Sequence, residues 1–243
     1  MASGGPGARL RAVLRHTQPR SDPRHPAPDP RPTPSPAAGV GDLRLTAGRT
    51  LVVGEDIMIG CAPIDAKSAA TPTVHALLRA GVKHFDTAPL YGGSEQCLGD
   101  ALEASADPAL LEGVQVHTKC GLEGAGGEAD FTAPSIRQRF ARSLARFHLD
   151  ESGGGQPYTC HTLRVHHPAL AGPAAGSNTG DRLEEVLHPT EGAVAAMVGL
   201  REEGLVREVS MGMNTTVDHN GVEPTIALLQ QAPAGTFDSV LFA

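Results

Sequence analysis

Apolar and polar positions follow two different rhythms along most of this chain. From about residue 50 onward, short apolar runs alternate with longer stretches in which apolar residues recur every three or four positions. Short runs bounded by turn residues are typical of buried strands, and the longer period is typical of helices that bury one face. Repetition of this pair predicts an α/β protein with a parallel sheet.

Six strands and five intervening helices can be placed on this pattern. The predicted strands cover 56–61, 82–85, 114–118, 162–165, 208–212 and 239–242. The predicted helices cover 72–80 (with Thr71 as N-cap and Pro72 as first residue), 94–104, 134–147, 192–203 and 224–231. Gly-rich stretches at 121–127, 151–157 and 171–180 are predicted to be loops, either low-complexity padding or insertions over a site.

The beginning of the chain differs from the rest in charge and composition. Residues 1–38 contain six arginines and two aspartates, a charge of +4 that leaves −11 for the remainder of a chain whose total is −7. Prolines recur through residues 19–36 and oppose packed structure. We therefore predict a disordered basic tail over 1–48 and a folded domain over 49–243, with an organelle transit peptide as the alternative for the tail.

Composition excludes several classes of function. Aromatic residues make up 3% of the chain, Trp is absent and the net charge is −7, all of which argue against a nucleic-acid partner. No apolar run reaches the length of a membrane span and no secretory signal is present, so we expect a cytoplasmic protein without a membrane partner. The four cysteines form no CxxC pair and the histidines no ligand spacing, so no metal site is predicted.

Four residues with chemically useful side chains follow successive predicted strands. Asp86 and Tyr91 come after the second strand, Lys119 after the third and His166 after the fourth. Because the carboxyl ends of parallel strands meet at one rim, these side chains are expected to lie together. A cation such as Lys119 would stabilise the phenolate of Tyr91, Asp86 would hold the ammonium, and a neutral His166 would orient a carbonyl oxygen.

The motif around Tyr91 resembles a signature of the aldo-keto reductase family. Residues 84–95 read His-Phe-Asp-Thr-Ala-Pro-Leu-Tyr-Gly-Gly-Ser-Glu, and Leu-Gly follows at 98–99. Supporting stretches occur in the family's order at 117–119, 143–144, 163–168 and 200–209. The resemblance implies a (β/α)8 TIM barrel and hydride transfer between NADP or NAD and a small-molecule aldehyde or aldose, with Asp86, Tyr91, Lys119 and His166 as the catalytic tetrad.

Two further motifs refine what the resemblance implies. The turn at 60–63 and the residues Gly212, Met213 and Asn214 are similar to the subgroup of aldose 1-dehydrogenases that oxidise fucose- or galactose-type sugars to lactones. Gly212 and Met213 stand where many members have Ser-Asn for binding the nicotinamide, and Asn214 is the expected substitute. His167 beside His166 leaves a second candidate for the catalytic histidine.

About six of the family's eight strands are accounted for. By the resemblance, the last β/α units and most of the cofactor site are expected to be lacking, and the remaining barrel should have an open apolar interior. The alternative to an enzyme is therefore a catalytically inactive, protein-binding or regulatory module with the same ancestry. The sequence leaves the oligomeric state and the choice between NAD and NADP open.

Overall fold

A computed structural model describes residues 43–44, 50–65, 69–123, 128–149, 155–168, 179–213 and 222–242. The strands are β1 (Leu43–Arg44), β2 (Thr50–Leu51), β3 (Met58–Gly60), β4 (His84–Asp86), β5 (Gln115–Cys120), β6 (Leu122–Glu123), β7 (Glu128–Ala129), β8 (Thr159–His166), β9 (Glu208–Met213) and β10 (Ser239–Phe242). The helices are α1 (Val53–Asp56), α2 (Ala70–Arg79), α3 (Ser94–Glu103), α4 (Pro108–Leu111), α5 (Ala133–Arg146), α6 (Thr179–Leu187), α7 (Ala193–Glu202) and α8 (Val222–Gln231).

Six of the strands form one parallel sheet in the order β10-β9-β8-β5-β4-β3. Each of these strands is separated from the next in the chain by at least one helix, which is the connection that parallel neighbours require. The sheet is a six-stranded part of a TIM barrel, as the sequence predicts. Two antiparallel pairs, β1 with β2 and β6 with β7, lie outside it.

The predicted elements agree with the structure in order and differ from it at their ends. Strand β10 has the predicted bounds, whereas α2 begins at Ala70 after an N-cap without a side-chain hydrogen bond, so the prediction of Thr71 as N-cap is wrong. Pro72 fits inside the first turn because a backbone N–H there has no partner to lose. Part of the loop predicted at 121–127 is the strand β6, and Asp56, predicted in a strand, ends helix α1.

Three helices lie outside the predicted set. The helices α1 and α4 span four residues each, which is too short for a helical period to show in the sequence. Helix α6 begins within the stretch predicted as a loop at 171–180, most of which lies outside the described residues. Strand β1 lies within the predicted tail 1–48, whose other residues lie outside the described part, so the domain boundary stays a prediction.

One face of the sheet, which we call the helix face, is apolar. Successive side chains of a strand point to opposite faces, so every second residue of each strand packs toward the surrounding helices. The buried residues on this face are Phe85, Val116, Thr118, Cys120, Cys160, Leu163, Val165, Val209, Met211 and Met213. All of them except the polar Thr118 share one hydrophobic core with helix residues such as Leu98, Ile136 and Met197. Helix α5 contributes Ile136, Phe140 and Leu144, whose spacing of four places them on one side.

The opposite face, which we call the site face, is polar. Its residues in β4, β5, β8 and β9 are His84, Asp86, Gln115, His117, Lys119, Thr162, Arg164, His166, Glu208, Ser210 and Gly212. The expectation of an open apolar interior is therefore wrong for this part of the chain. The interior of a TIM barrel is usually filled by branched apolar side chains, so a site face of hydrogen-bonding groups needs a chemical explanation.

No helix among the described residues combines the length and apolar character that crossing a membrane requires.

Candidate active site

Asp86 and Lys119 form a buried ion pair on the site face. Asp86 ends β4, Lys119 is the fifth residue of the neighbouring strand β5, and both side chains are less than a tenth exposed. The Lys119 ammonium donates to Oδ2 of Asp86 at 2.5 Å and to the backbone oxygen of Thr87 at 2.8 Å. Burial lowers the pKa of Lys119, and the charge of Asp86 acts against that shift. The ammonium of Lys119 is therefore fixed between Asp86 and the backbone of Thr87.

Tyr91 lies in the turn that follows β4, with its ring close to this pair. Its backbone N–H donates to the Ala88 oxygen at 3.0 Å, and the next two residues, Gly92 and Gly93, have φ of +59° and +93°. Glycine tolerates these angles at little cost, which explains the Gly-Gly pair after Tyr91. The ammonium of Lys119 lies 4.7 Å from the centroid of the Tyr91 ring. The turn thus places the phenol beside a fixed cation.

His166, at the end of β8, lies next to Tyr91. The two ring centroids are 5.8 Å apart and the rings are perpendicular. Burial, reinforced by His167 and Lys119, lowers the pKa of His166 to about 2, so the imidazole is neutral. Among the described residues, its Nδ1 is a buried nitrogen without a hydrogen-bond partner. A neutral imidazole with an unused nitrogen is suited to hydrogen-bonding a bound molecule.

His167 is the second candidate that the sequence leaves open. Its ring stacks on His166 at a centroid distance of 4.6 Å, and its φ of 46° marks the end of the strand. Its backbone N–H donates to the oxygen of Gly212 at 2.9 Å. Since the ring packed against Tyr91 is that of His166, the structure favours His166 for the role that the sequence predicts.

Arg164 is a third charged residue of the site, and it is not among the residues predicted from the sequence. It lies two residues before His166 on β8, pairs in register with Lys119, and donates to Oδ1 of Asp86 at 3.1 Å. Strand periodicity was the available signal, because residues i and i+2 share a face. The Asp86 carboxylate therefore has a different cation on each oxygen.

The charges around Tyr91 do not lower its pKa below the ordinary value. Burial and the charge of Asp86 raise the pKa of Tyr91 to about 12, while the charge of Arg164 acts in the lowering direction. At neutral pH the phenol is thus protonated and can donate a proton. The expectation that Lys119 stabilises the phenolate stays a prediction, since it concerns a charge that develops during a reaction.

The three residues proposed from sequence to hold a cofactor have different positions. Gly212 lies on the site face, where an added Cβ would lie 3.4 Å from Cε of Lys119. Met213 lies on the helix face, and its side chain belongs to the hydrophobic core. Asn214 lies outside the described residues. Of the described pair, Gly212 therefore borders the site directly, and Met213 can contribute only backbone atoms there.

Buried hydrogen bonds fix the residues that precede and follow Tyr91 in the chain. Thr87 Oγ1 donates to Ser94 Oγ at 2.9 Å, and Ser94 Oγ donates to the backbone oxygen of Cys61 at 2.7 Å. The neighbouring Glu95, only 1% exposed, accepts from Thr118 Oγ1 at 2.5 Å and from Arg146 at 2.7 Å. These contacts join α3 to β5 and α5, so Tyr91 stands on a rigid support.

Taken together, the geometry supports proton transfer at a carbonyl or hydroxyl group. A phenol lies close to a buried cation and to a neutral imidazole, with a carboxylate fixing the cation, an arrangement suited to general acid-base catalysis. No group of three or more potential ligands for a metal ion is found in the described ranges. Fold and site together define a β/α-barrel protein in which a tyrosine, a lysine, an aspartate and a histidine meet at the carboxyl ends of parallel strands.

Comparison with known proteins gives the family. The model of the aldo/keto reductase family matches residues 57–220. A curated relative, L-galactose dehydrogenase of Arabidopsis thaliana, is 40% identical over 180 residues, which is 72% of this chain and 46% of that protein. The chain belongs to the aldo/keto reductase family.

Solved structures agree on the fold. An aldo-keto reductase from Pseudomonas aeruginosa superposes with a TM-score of 0.52 at 22% identity, covering 84% of this chain and 66% of the other. The aldo-keto reductase of Bombyx mori in complex with NADP gives a TM-score of 0.51 at 17% identity, covering 81% and 56%. The chain thus spans about half to two thirds of the length of these relatives.

Proposed function

We propose that this chain is an NAD(P)-dependent oxidoreductase that transfers hydride between nicotinamide and a carbonyl or alcohol. The observation that carries the proposal is the buried Asp86–Lys119 pair close to the Tyr91 ring, with the His166 ring also next to Tyr91. Removing an ion pair from water costs free energy. The carboxyl ends of the strands are where β/α barrels place their active sites, so a buried ion pair at this position is expected to serve catalysis. Perturbed titratable groups that converge in this way are typical of active sites.

The proton step follows from the states of the four side chains. In reduction, the protonated phenol of Tyr91 donates to the substrate oxygen as negative charge develops there. The neutral imidazole of His166 donates a hydrogen bond that orients the same oxygen. Lys119, held by Asp86 at 2.5 Å, stabilises the phenolate that remains. In oxidation the same residues act in reverse, with Tyr91 accepting the hydroxyl proton.

The residues present also fit a nicotinamide cofactor, NADP or NAD. Gly212 leaves the site face without a side chain beside Lys119, and the unpartnered Nδ1 of His166 lies on the same face. Gly212 and the backbone of Met213 would hold the nicotinamide, and Asn214 is the predicted third contact. The bound nicotinamide would supply or accept the hydride. The NADP complex of the Bombyx mori relative supports this choice of cofactor.

For the substrate we propose an aldose that is oxidised at C1. The name of the Arabidopsis thaliana relative, L-galactose dehydrogenase, supports a sugar of the galactose or fucose type. The turn at 60–63 and the residues at 212–214 point to the same subgroup by resemblance. Oxidation of the C1 hydroxyl of the ring form would give a lactone, with the proton passing to Tyr91.

The test is a binding and turnover measurement on the 243-residue chain. NADPH and NADH fluorescence is titrated with protein, and oxidation of L-galactose, L-fucose and D-galactose is followed with NADP and NAD. Because the chain has no Trp, enhancement of the nicotinamide emission is read without a tryptophan background. We expect saturable binding and turnover of at least one sugar, with Tyr91→Phe lowering kcat by about 10²- to 10⁴-fold.

The chain offers a matched control, since its only other tyrosine is Tyr158. Tyr158 is buried away from the tetrad, and its hydroxyl donates to the backbone oxygen of Phe147 at 2.8 Å. Tyr158→Phe should keep kcat while losing about 1 kcal/mol of stability. A folded chain that binds neither cofactor would overturn the proposal and favour the protein-binding alternative.

A further inference from the structure

Arg164 is the buried charge of the site that the proposed chemistry leaves without a role. Its side chain is 6% exposed, and NH1 donates to Oδ1 of Asp86, the oxygen that Lys119 does not use. Its Nε is a second buried nitrogen without a partner in the described part of the chain, on the same strand and face as Nδ1 of His166. Placing a guanidinium here is costly unless it contributes to the site.

The charges near Tyr91 do not cancel. Asp86 contributes −1, Lys119 and Arg164 contribute +1 each, and the sum is +1. His166 is neutral, and burial raises the pKa of Cys61 to about 12, so that thiol is also neutral. These are the titratable groups that face the phenol from β4, β5, β8 and the segment after β3.

Within the described part of the chain, Glu208 on β9 also attracts Arg164. Glu208 is half-buried, so solvent screens its charge more than that of Asp86, and its carboxylate accepts a hydrogen bond from Thr162 Oγ1 at 3.3 Å. Glu208 pairs in register with Thr162, which lies two residues before Arg164 on β8. The guanidinium remains protonated although burial lowers its pKa, because arginine is not deprotonated in proteins.

From this geometry we infer that Arg164 is a positioning residue that sets the protonation of Tyr91 by offsetting the charge of Asp86. Without Arg164, the carboxylate and the ammonium of Lys119 would cancel, and no net charge would favour a phenolate. With Arg164 on the second oxygen, the charge of Lys119 is left to act on the ring 4.7 Å away. The inference rests on the proposed function, because it assigns Tyr91 a proton to release.

The direction of the shifts agrees with this role. Burial and Asp86 raise the pKa of Tyr91, and Arg164 opposes them. Removing a positive charge should therefore raise the pKa of the phenol further. An opposite charge a few ångströms from a titrating group shifts its pKa by about one unit or more.

The test measures the phenol directly and needs no turnover. In a Tyr158→Phe background Tyr91 is the single tyrosine, so fluorotyrosine, whose phenol is more acidic than that of tyrosine, labels this position alone. The fluorine resonance is then titrated with pH in the parent, in Arg164→Met, in Arg164→Gln and in Arg164→Lys. Arg164→Met and Arg164→Gln should raise the phenol pKa by about one unit, and Arg164→Lys, which keeps the charge, should restore it.

Several outcomes would overturn the inference. One is a phenol pKa that stays at the parent value in both neutral variants. Another is an Arg164→Lys variant that shifts like Arg164→Gln. If neither neutral variant folds, Arg164 serves folding and the inference fails.

Turnover separates this result from the proposed function. If the chain oxidises a sugar, the limb of the kcat/KM profile that requires phenolate should move with the fluorine pKa. A fluorine shift in a chain without turnover would keep the role of Arg164 and reject the enzyme. Turnover without a fluorine shift would keep the proposed enzyme and reject the role of Arg164.

Discussion

The two faces of the parallel sheet are built from the same strands and are both largely buried, yet they have opposite chemistry. On the helix face, Phe85, Leu163 and Met211 are fully buried among apolar neighbours. On the site face, Asp86, Arg164 and Ser210 are each one residue away from them and at most 5% exposed. Alternation along a strand thus lets one segment anchor the core and carry the chemistry. Substitutions of adjacent residues should therefore affect different properties.

The largest effect is expected on the helix face, from Phe85→Ala. Phe85 is fully buried in the core and directly precedes Asp86. Truncating a buried Phe to Ala removes its burial and leaves a cavity, so the free energy of unfolding should fall by about 3–5 kcal/mol. Urea unfolding measures the change. The kcat of the molecules that remain folded should stay near that of the parent. A large fall in kcat without loss of stability would contradict the assignment of different properties to the two faces.

A smaller effect on stability is expected from the site face, where two buried histidines are neutral. Burial lowers the pKa of both His117 and His166 to about 2, from an ordinary value of 6.5. The unfolded chain therefore binds protons at these residues at higher pH than the folded chain does. Stability should fall as pH drops below about 6.5, by about 2 kcal/mol for each histidine between about pH 7 and pH 5.

The measurement is the free energy of unfolding in urea across this range, for the parent and for His117→Gln. His117 lies in a hydrogen-bonded row, 3.1 Å from His84 and 2.9 Å from Thr162 Oγ1. The variant should lose about half of the pH dependence assigned to the two histidines, that is about 2 kcal/mol over about pH 7 to pH 5. Burial raises the pKa of Glu95 and acts in the opposite direction, so the difference between the two proteins is decisive. If the free energy of unfolding depended on pH equally in the two proteins, His117 would not be a buried, neutral residue.

The rate of alcohol oxidation should depend on pH through the protonation of Tyr91. Because the pKa of Tyr91 is raised to about 12, the phenolate is a small fraction at neutral pH. Oxidation needs a base and should accelerate about tenfold per pH unit, which corresponds to about 1.4 kcal/mol, while reduction, which needs the acid, should stay flat. Initial rates in both directions between about pH 7 and pH 9 provide the check. An oxidation rate independent of pH would mean that another group accepts the proton.

The contrast between the faces also separates what the sequence predicted from what it did not. The helix face supplies the periodic apolar signal, so the order of strands and helices, and with it the six-stranded sheet, could be predicted. Asp86, Tyr91, Lys119 and His166 were predicted because each follows a strand. Arg164 was missed because it lies inside a strand, between Leu163 and Val165, and does not follow its end.

Other differences have equally local reasons. The expectation of an apolar interior came from barrels in general, whereas the polar residues at alternate positions of β5 and β8 indicate a charged face when the strand period is applied to them. The start of α2 could not be fixed from Thr71 and Pro72, since a proline fits at more than one position of a first turn. The contacts of Glu95 with β5 and α5 depend on packing between distant segments, which single-sequence patterns do not contain.

The smallest expected effect comes from adding one methyl group to the site face, with Gly212→Ala. Gly212 does not need a positive φ, so alanine is not strained there, and the lower entropy of the unfolded chain should leave stability unchanged or raised by about 0.5–1 kcal/mol. The new Cβ would lie 3.4 Å from Cε of Lys119 and 3.7 Å from Cδ of Arg164. These are ordinary van der Waals distances, so Lys119 can keep its position, but the methyl group would occupy the space beside Lys119 proposed for the nicotinamide. We therefore expect kcat/KM to fall several-fold, well short of the loss from Tyr91→Phe.

Gly60→Ala is the matched control, because Gly60 pairs in register with Asp86 at the end of β3 and an added Cβ there meets no atom within 4 Å. Thermal unfolding and steady-state kinetics of the two variants form the experiment. Gly60→Ala adds a methyl group that contacts no protein atom, so Gly212→Ala should lower kcat/KM more than Gly60→Ala does, without loss of Tm. Equal kinetics in both variants would mean that the space beside Lys119 is not used by the cofactor or the substrate.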